Sequence, residues 1–266
     1  MDKAGQKYWD SSWAQSSVPD AVDPADPQIS NWVNRRFHQL FVRLFADSAT
    51  DSMKLLEVGC AKSSWLPYFS SEFGFAVTGI DYSPAGCELS RQVLAKHGVQ
   101  TEVVCSDFFM PPADMLGKFD VVVSFGVVEH FEDTAASLVA IAAFLKPGGM
   151  LITSIPNMVG LIGAVQKVVN RPVYDIHQLL DRSMLCEAHQ QASLTVLECD
   201  YFIATNFGVC NLVDVASGTP SWFFKKVILG VLSRISLLTW KLEDRIGPLR
   251  AGKAASPYVM CISRKA

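Results

Sequence analysis

The stretch Lys54-Leu55-Leu56-Glu57-Val58-Gly59-Cys60-Ala61-Lys62-Ser63 carries an apolar run into a tight loop of small residues, and Gly79-Ile80-Asp81 ends a second apolar run on a lone acid. This is the layout of an α/β nucleotide site, where the backbone approaches the ligand closely and a carboxylate takes the ribose hydroxyls. The dinucleotide fingerprint Gly-x-Gly-x-x-Gly is not met. Only Gly59 is a glycine, and Ala61 and Ser63 hold the later small positions. Both add a Cβ, so a loop requiring positive φ there would be strained. Glu57, two residues before Gly59, would repel a pyrophosphate and suits a ligand bearing an ammonium.

Further segments follow in order. Ser106-Asp107-Phe108 succeeds a third apolar run. Phe119-Asp120-Val121-Val122-Val123-Ser124-Phe125-Gly126 reads as a fourth strand leading into Val127-Val128-Glu129-His130-Phe131, and Leu145-Lys146-Pro147-Gly148-Gly149 is a tight turn before a fifth strand closed by Ile155-Pro156-Asn157. Continuous Val/Ile/Leu runs without strict alternation indicate strands buried on both faces, as in a parallel sheet. Helices are expected over 31–45, 65–73, 85–97, 134–145, 161–169 and 183–192. Ser83 and Asp133 are placed to cap two of them.

The acid-x-Gly-x-small-x-small loop with these later motifs resembles the class I S-adenosylmethionine (SAM)-dependent methyltransferases. In style it is similar to the ubiquinone-biosynthesis O-methyltransferase-like enzymes of small molecules. The likeness covers roughly 53–200 and 258–264. It implies an α/β, Rossmann-like seven-stranded sheet of order 3-2-1-4-5-7-6, strand seven antiparallel, flanked by helices. It also implies SAM as cofactor, held by Glu57, Gly59, Ala61, Asp81, Tyr82, Asp107, Phe108, Phe125 and Gly126. These would converge beyond the strand ends where the winding reverses.

Half of the 266 residues are apolar and the net charge is −3. One α/β domain with decorations fits that length, and no basic cluster suggests a nucleic-acid substrate. Seven scattered cysteines without a Cys-x-x-Cys point to a reducing cytoplasm, with no disulfide framework and no metal centre. Residues 1–45 are read as an N-terminal lid and helical segment and 46–266 as the SAM-binding domain, with a helical insertion at 207–257. Tyr8, Trp9 and Trp13 stand in an otherwise polar stretch, suited to cover the site and to bind a cation on their ring faces; docking on the surface is the competing reading. The apolar run from Trp222 to Trp240 is interrupted by Lys225, Lys226 and Arg234. It falls short of a membrane span, so membrane contact is not expected. A lid or homodimer helix, part of the substrate wall, or an interfacial helix remain open.

A sulfonium methyl is already activated, so the protein must bind SAM, exclude water and align an acceptor nucleophile. Candidate general bases are Glu129, His130 and His177, although His130 also fits a purely structural role. Asn157 and Tyr174 complete the expected acceptor pocket. The expected activity is methyl transfer to oxygen or nitrogen of a small metabolite. The alternatives are a SAM cyclase or lyase releasing methylthioadenosine, and a non-catalytic SAM-binding module.

Overall fold

The computed structural model describes residues 2–213 and 215–266. Seven strands form one sheet in the order β3-β2-β1-β4-β5-β7-β6: β1 Lys54–Val58, β2 Ala76–Asp81, β3 Val103–Cys105, β4 Phe119–Phe125, β5 Leu145–Pro156, β6 Leu194–Phe202 and β7 Tyr258–Lys265. The pairs among β1 to β5 are parallel, and β7 runs antiparallel to both neighbours. This is the expected sheet.

The register positions the site. Val58 pairs with Ile80 on one side and Ser124 on the other. The next residues, Gly59, Asp81 and Phe125, therefore leave three neighbouring strands at one level, beside the reversal of winding between β1 and β4.

Among the described residues, nine α-helices accompany the sheet: α1 Gln6–Ala14, α2 Trp32–Phe45, α3 Trp65–Phe73, α4 Pro84–Lys96, α5 Thr134–Ala142, α6 Leu161–Val169, α7 Arg171–Asp175, α8 Arg182–Gln191 and α9 Pro220–Ile246. Ser83 Oγ accepts the Gly86 amide and Asp133 Oδ1 the Ala136 amide, so α4 and α5 begin at the anticipated caps. Pro84 at the first turn of α4 donates no hydrogen bond where none is needed. One face of the sheet packs aliphatic side chains such as Val122, Ile141 and Leu145. The other is aromatic, with Phe37, Phe41 and Phe45 of α2 laid against Tyr68, Phe69 and Phe75. Their i, i+4 spacing puts one stripe of α2 into the core.

Several boundaries differ from expectation. The Lys146-Pro147-Gly148-Gly149 turn lies inside β5 rather than before it, because Leu145 already pairs with Phe119 and the register then shifts to Val121–Met150. Lys146 Nζ bonds the Asp120 carboxylate at 2.7 Å across this irregularity. The short α7 occupies a segment expected to be loop, opened by Pro172 in its first turn. The insertion helix α9 is longer than anticipated, from Pro220 to Ile246. All seven cysteines are free. Among the described residues, no helix is long and apolar enough to cross a membrane.

Candidate active site

Two cavities open at the sheet edge and share Gly126 and His130. The first, enclosing about 520 Å³ partly open to solvent, lies over the β1 loop and the ends of β2 and β4. Gly59 adopts φ +75°, and a Cβ there would stand 2.4 Å from Val127 Cγ2. Glycine is thus required twice, by conformation and by space. Ala61 and Ser63 escape the anticipated strain, since the other positive φ of the loop falls on Lys62. The extra Cβ of Ala61 is received by Gly86, where a second Cβ would sit only 2.5 Å away.

Asp81 lines this cleft and is held in place by backbone amides. Its Oδ2 accepts the Ala61 amide at 3.0 Å and its Oδ1 the Ser83 amide at 2.8 Å. Burial raises its pKa to about 6, against these hydrogen bonds, which favour the charged form. Phe108, beside Phe131 at 5.2 Å between ring centres, forms an apolar wall. Tyr82 lines it too, and its hydroxyl donates to Asp2.

Helix α1 roofs the cleft. Trp9 and Trp13 line it, stacked at 5.8 Å. Trp9 meets the His130 ring edge-on at 4.9 Å. Polar ties hold this roof: the Lys3 amide donates to the His130 carbonyl, Lys3 Nζ to the His177 carbonyl, and Ser83 Oγ to Asp10. Helix α1 itself has no buried residue. Tyr8 does not line the cleft; it packs edge-on against Trp9 at 5.0 Å.

The second cavity, about 880 Å³ and also partly open, is walled by Phe37, Trp65, Phe125, Ile155 and Tyr258, with Asn34, Glu129, His130 and His177 as polar groups. Nδ1 of His130 lies 3.1 Å from the Ile176 carbonyl and Nδ1 of His177 2.6 Å from the Val173 carbonyl. A carbonyl only accepts, so both protons sit on Nδ1 and both Nε2 atoms present lone pairs. Burial, reinforced by His177, lowers the His130 pKa to about 3, and burial likewise lowers that of His177. Glu129 is 1 % exposed, and neither carboxylate oxygen has a hydrogen-bond partner among the described residues. Burial pushes its pKa to about 8. One atom from each of these three residues lies within 4.8 Å of the others. A set of this composition has the chemistry to accept a proton, and its two imidazoles held by carbonyls are also a donor arrangement for a divalent cation.

Other predicted residues stand elsewhere. Glu57 does not line the cleft. It is buried behind the loop, where Ser63 Oγ donates to it at 2.5 Å while accepting the Trp65 and Leu66 amides that open α3. Burial raises its pKa to about 8. Asp107 is exposed on a neighbouring groove and accepts the Phe109 amide; Ser106 reaches the cleft instead. Phe125 belongs to the second cavity. Asn157 lines neither cavity: its amide donates to the Lys253 and Ser256 carbonyls, pinning the approach to β7. Tyr174 is also outside, under the Lys167 ammonium. Sequence reasoning missed Asp2, Asn34 and Tyr258. The first two carry no local motif, and Tyr258 is distinguished only once β7 is seated beside β5.

The comparisons agree with this geometry. A methyltransferase-domain family profile matches residues 29–198. The ubiquinone biosynthesis O-methyltransferase of Azotobacter vinelandii is 28% identical over 181 residues, covering 65% of this chain and 73% of its own. That of Thiobacillus denitrificans is 29% identical over 155 residues, 54% and 66%. Among solved structures, a putative sarcosine dimethylglycine methyltransferase from Galdieria sulphuraria superposes with TM-score 0.61 at 15% identity over 100% of this chain and 99% of its own. The [4+2]-cyclase SpnF gives 0.61 at 18%, over 100% and 96%. Strand order, the glycine loop under Asp81 and the matched span all converge: the chain belongs to the methyltransferase-domain family and is a class I SAM-dependent methyltransferase.

Proposed function

We propose that the enzyme methylates an oxygen or nitrogen of a small, largely apolar acceptor held in the second cavity. The observation that carries this reading is that His130 and Gly126 border both cavities, so a nucleophile in one can face a methyl group in the other. The first cavity suits SAM: the carboxylate of Asp81 takes ribose hydroxyls, Phe108 and Tyr82 flank the adenine, and the Gly59 loop allows close backbone approach. SAM supplies an activated methyl on a sulfonium.

The residues of this chain do the rest. Trp9 and Trp13 shut water from the cleft, and their faces favour a cationic ligand. Phe37, Trp65 and Phe125 hold the acceptor by apolar contact. Glu129, the more basic of the pair and 3.9 Å from Nε2 of His130, receives the acceptor's proton once it is itself ionised, and the Nε2 lone pair of His130 orients the acceptor by accepting its hydrogen bond. The curated relatives are named as O-methyltransferases, which favours a hydroxyl acceptor.

The test is turnover of SAM to S-adenosylhomocysteine (SAH) over a panel of hydroxylated and aminated aromatic compounds. Hydroxyl-dependent SAH formation, lost in Glu129→Gln and His130→Ala while SAH binding persists, supports the reading. Full activity in both variants refutes the roles assigned. Repeating the assay with EDTA and with added Mg²⁺ or Zn²⁺ separates proton transfer by the cluster from cation-assisted chemistry. A second reading, attack within SAM itself, draws on the aromatic roof over the first cavity. SAM incubated alone would then yield methylthioadenosine.

A further inference from the structure

Helix α9 carries a surface that methyl transfer does not use. Phe224, Val227, Val231, Ile235, Leu238 and Leu242 follow one another at steps of three and four residues along its outer side. Such a stripe runs nearly straight down a helix, here for about 27 Å. It is open: Phe224 is 69 %, Val227 63 % and Leu238 66 % exposed. Large apolar residues at that exposure in a continuous row mark a docking surface. The opposite side of α9 is fixed to the domain. Ser236 Oγ accepts the Phe207 amide, Trp240 Nε1 donates to the Thr205 carbonyl, and Trp32 Nε1 donates to Glu243. The orientation of the stripe is therefore set by the fold.

Charge identifies the occupant. Arg234, Lys241 and Arg245, at seven- and four-residue steps, lie along one flank of the stripe. The two acids of the helix do not neutralise them. Glu243 is buried and bonded to Trp32 and to the Leu249 amide, and Asp244 lies 3.5 Å from Arg35 of α2. Two copies of α9 packed about a twofold axis, parallel or antiparallel, would set this basic flank against no acid of the facing α9. An anionic lipid surface supplies the opposite charge, and it takes the apolar stripe as well. We propose that the outer face of α9 docks the enzyme on anionic bilayers, the helix lying in the interface plane without crossing. The site geometry is continuous with this. Trp32, bonded to α9, precedes Val33 and Asn34 of the second cavity, and Val209 of that cavity follows Phe207.

The experiment is co-sedimentation of the full chain with phosphatidylcholine vesicles and with phosphatidylcholine–phosphatidylglycerol vesicles, alongside light scattering. The expected result is pelleting with the anionic vesicles only, weakened by salt. The triple variant Arg234→Gln/Lys241→Gln/Arg245→Gln should lose affinity on the order of a hundredfold. Val231→Glu/Leu238→Glu should abolish pelleting, with an unchanged circular dichroism spectrum as the fold control. Protein that stays in the supernatant with both vesicle types overturns the proposal. So does equal pelleting with neutral vesicles. A wild-type dimer that Val231→Glu/Leu238→Glu makes monomeric, without vesicle binding, assigns the face to a second copy and overturns it too.

Discussion

Glu57→Gln tests the electrostatics of the β1 loop. Glu57 is 4 % exposed and its pKa is pushed to about 8 from an ordinary 4.5, first by burial and then by the nearby Asp81 charge, against the Ser63 hydrogen bond. A group whose pKa is raised in the fold stabilises it fully below 4.5, and loses that contribution as pH rises through about 8. At about 1.4 kcal/mol per pH unit, this interval sets a ceiling of about 5 kcal/mol on the cost of Glu57 in alkaline solution. With relaxation, roughly 2 kcal/mol, or about 4–8 °C in melting temperature, is the expected remainder. Glutamine keeps the shape and an oxygen to accept the Ser63 hydroxyl, but cannot ionise. The variant should therefore melt close to wild type at pH 4.5, and above it by that margin past pH 8. Because Glu57 stands behind the loop rather than in the cleft, SAH affinity should change less than about threefold, well below the loss of a direct charged contact. Scanning calorimetry across pH and SAH titration read both quantities. A gap between the two proteins that stays constant with pH would refute the burial argument. A loss of SAH affinity of about thirtyfold or more would show that Glu57 grips the ligand directly.

Three further outcomes follow from the same geometry. Trp9→Ala removes a ring that lines the cleft and abuts His130; SAH affinity should fall about tenfold by calorimetry, with little change in melting temperature because α1 buries no residue. Gly59→Ala forces a Cβ to 2.4 Å from Val127 at φ +75°. It should lower stability by about 1–3 kcal/mol and weaken SAH binding at least tenfold. Asn157→Ala breaks two hydrogen bonds to the segment before β7, a buried one to Ser256 and a partly buried one to Lys253. It should cost about 1–3 kcal/mol of unfolding free energy in urea while leaving the KM for SAM unchanged; a raised KM would return Asn157 to the site.

The sheet and its cofactor edge were legible in sequence because they depend on local rules. Apolar runs gave the parallel strands, Ser83 and Asp133 gave helix starts, and Gly59 with Asp81 gave the ends of β1 and β2. The second cavity was legible only in part. Glu129 and His130 follow β4 directly, but Phe37 looks like any core residue of α2, and Tyr258 arrives through the antiparallel return of the chain. Asn157 misled because an amide beside a strand end serves a ligand or a backbone equally well, and only the path of 253–257 decides. In α9 the linear sequence shows lysines and arginines breaking an apolar run, whereas winding at 3.6 residues per turn puts Arg234, Lys241 and Arg245 on one flank and leaves the apolar stripe whole.

The account rests on the cleft between β1 and β4 being the SAM site. Titration of SAH into wild type and Asp81→Asn, followed by calorimetry and by the fluorescence of Trp9 and Trp13, tests it directly. Binding of one SAH per chain, a change in emission that Trp9→Ala reduces, and at least a tenfold loss of affinity in Asp81→Asn are predicted. Equal binding to wild type and Asp81→Asn with no response from either tryptophan would contradict it.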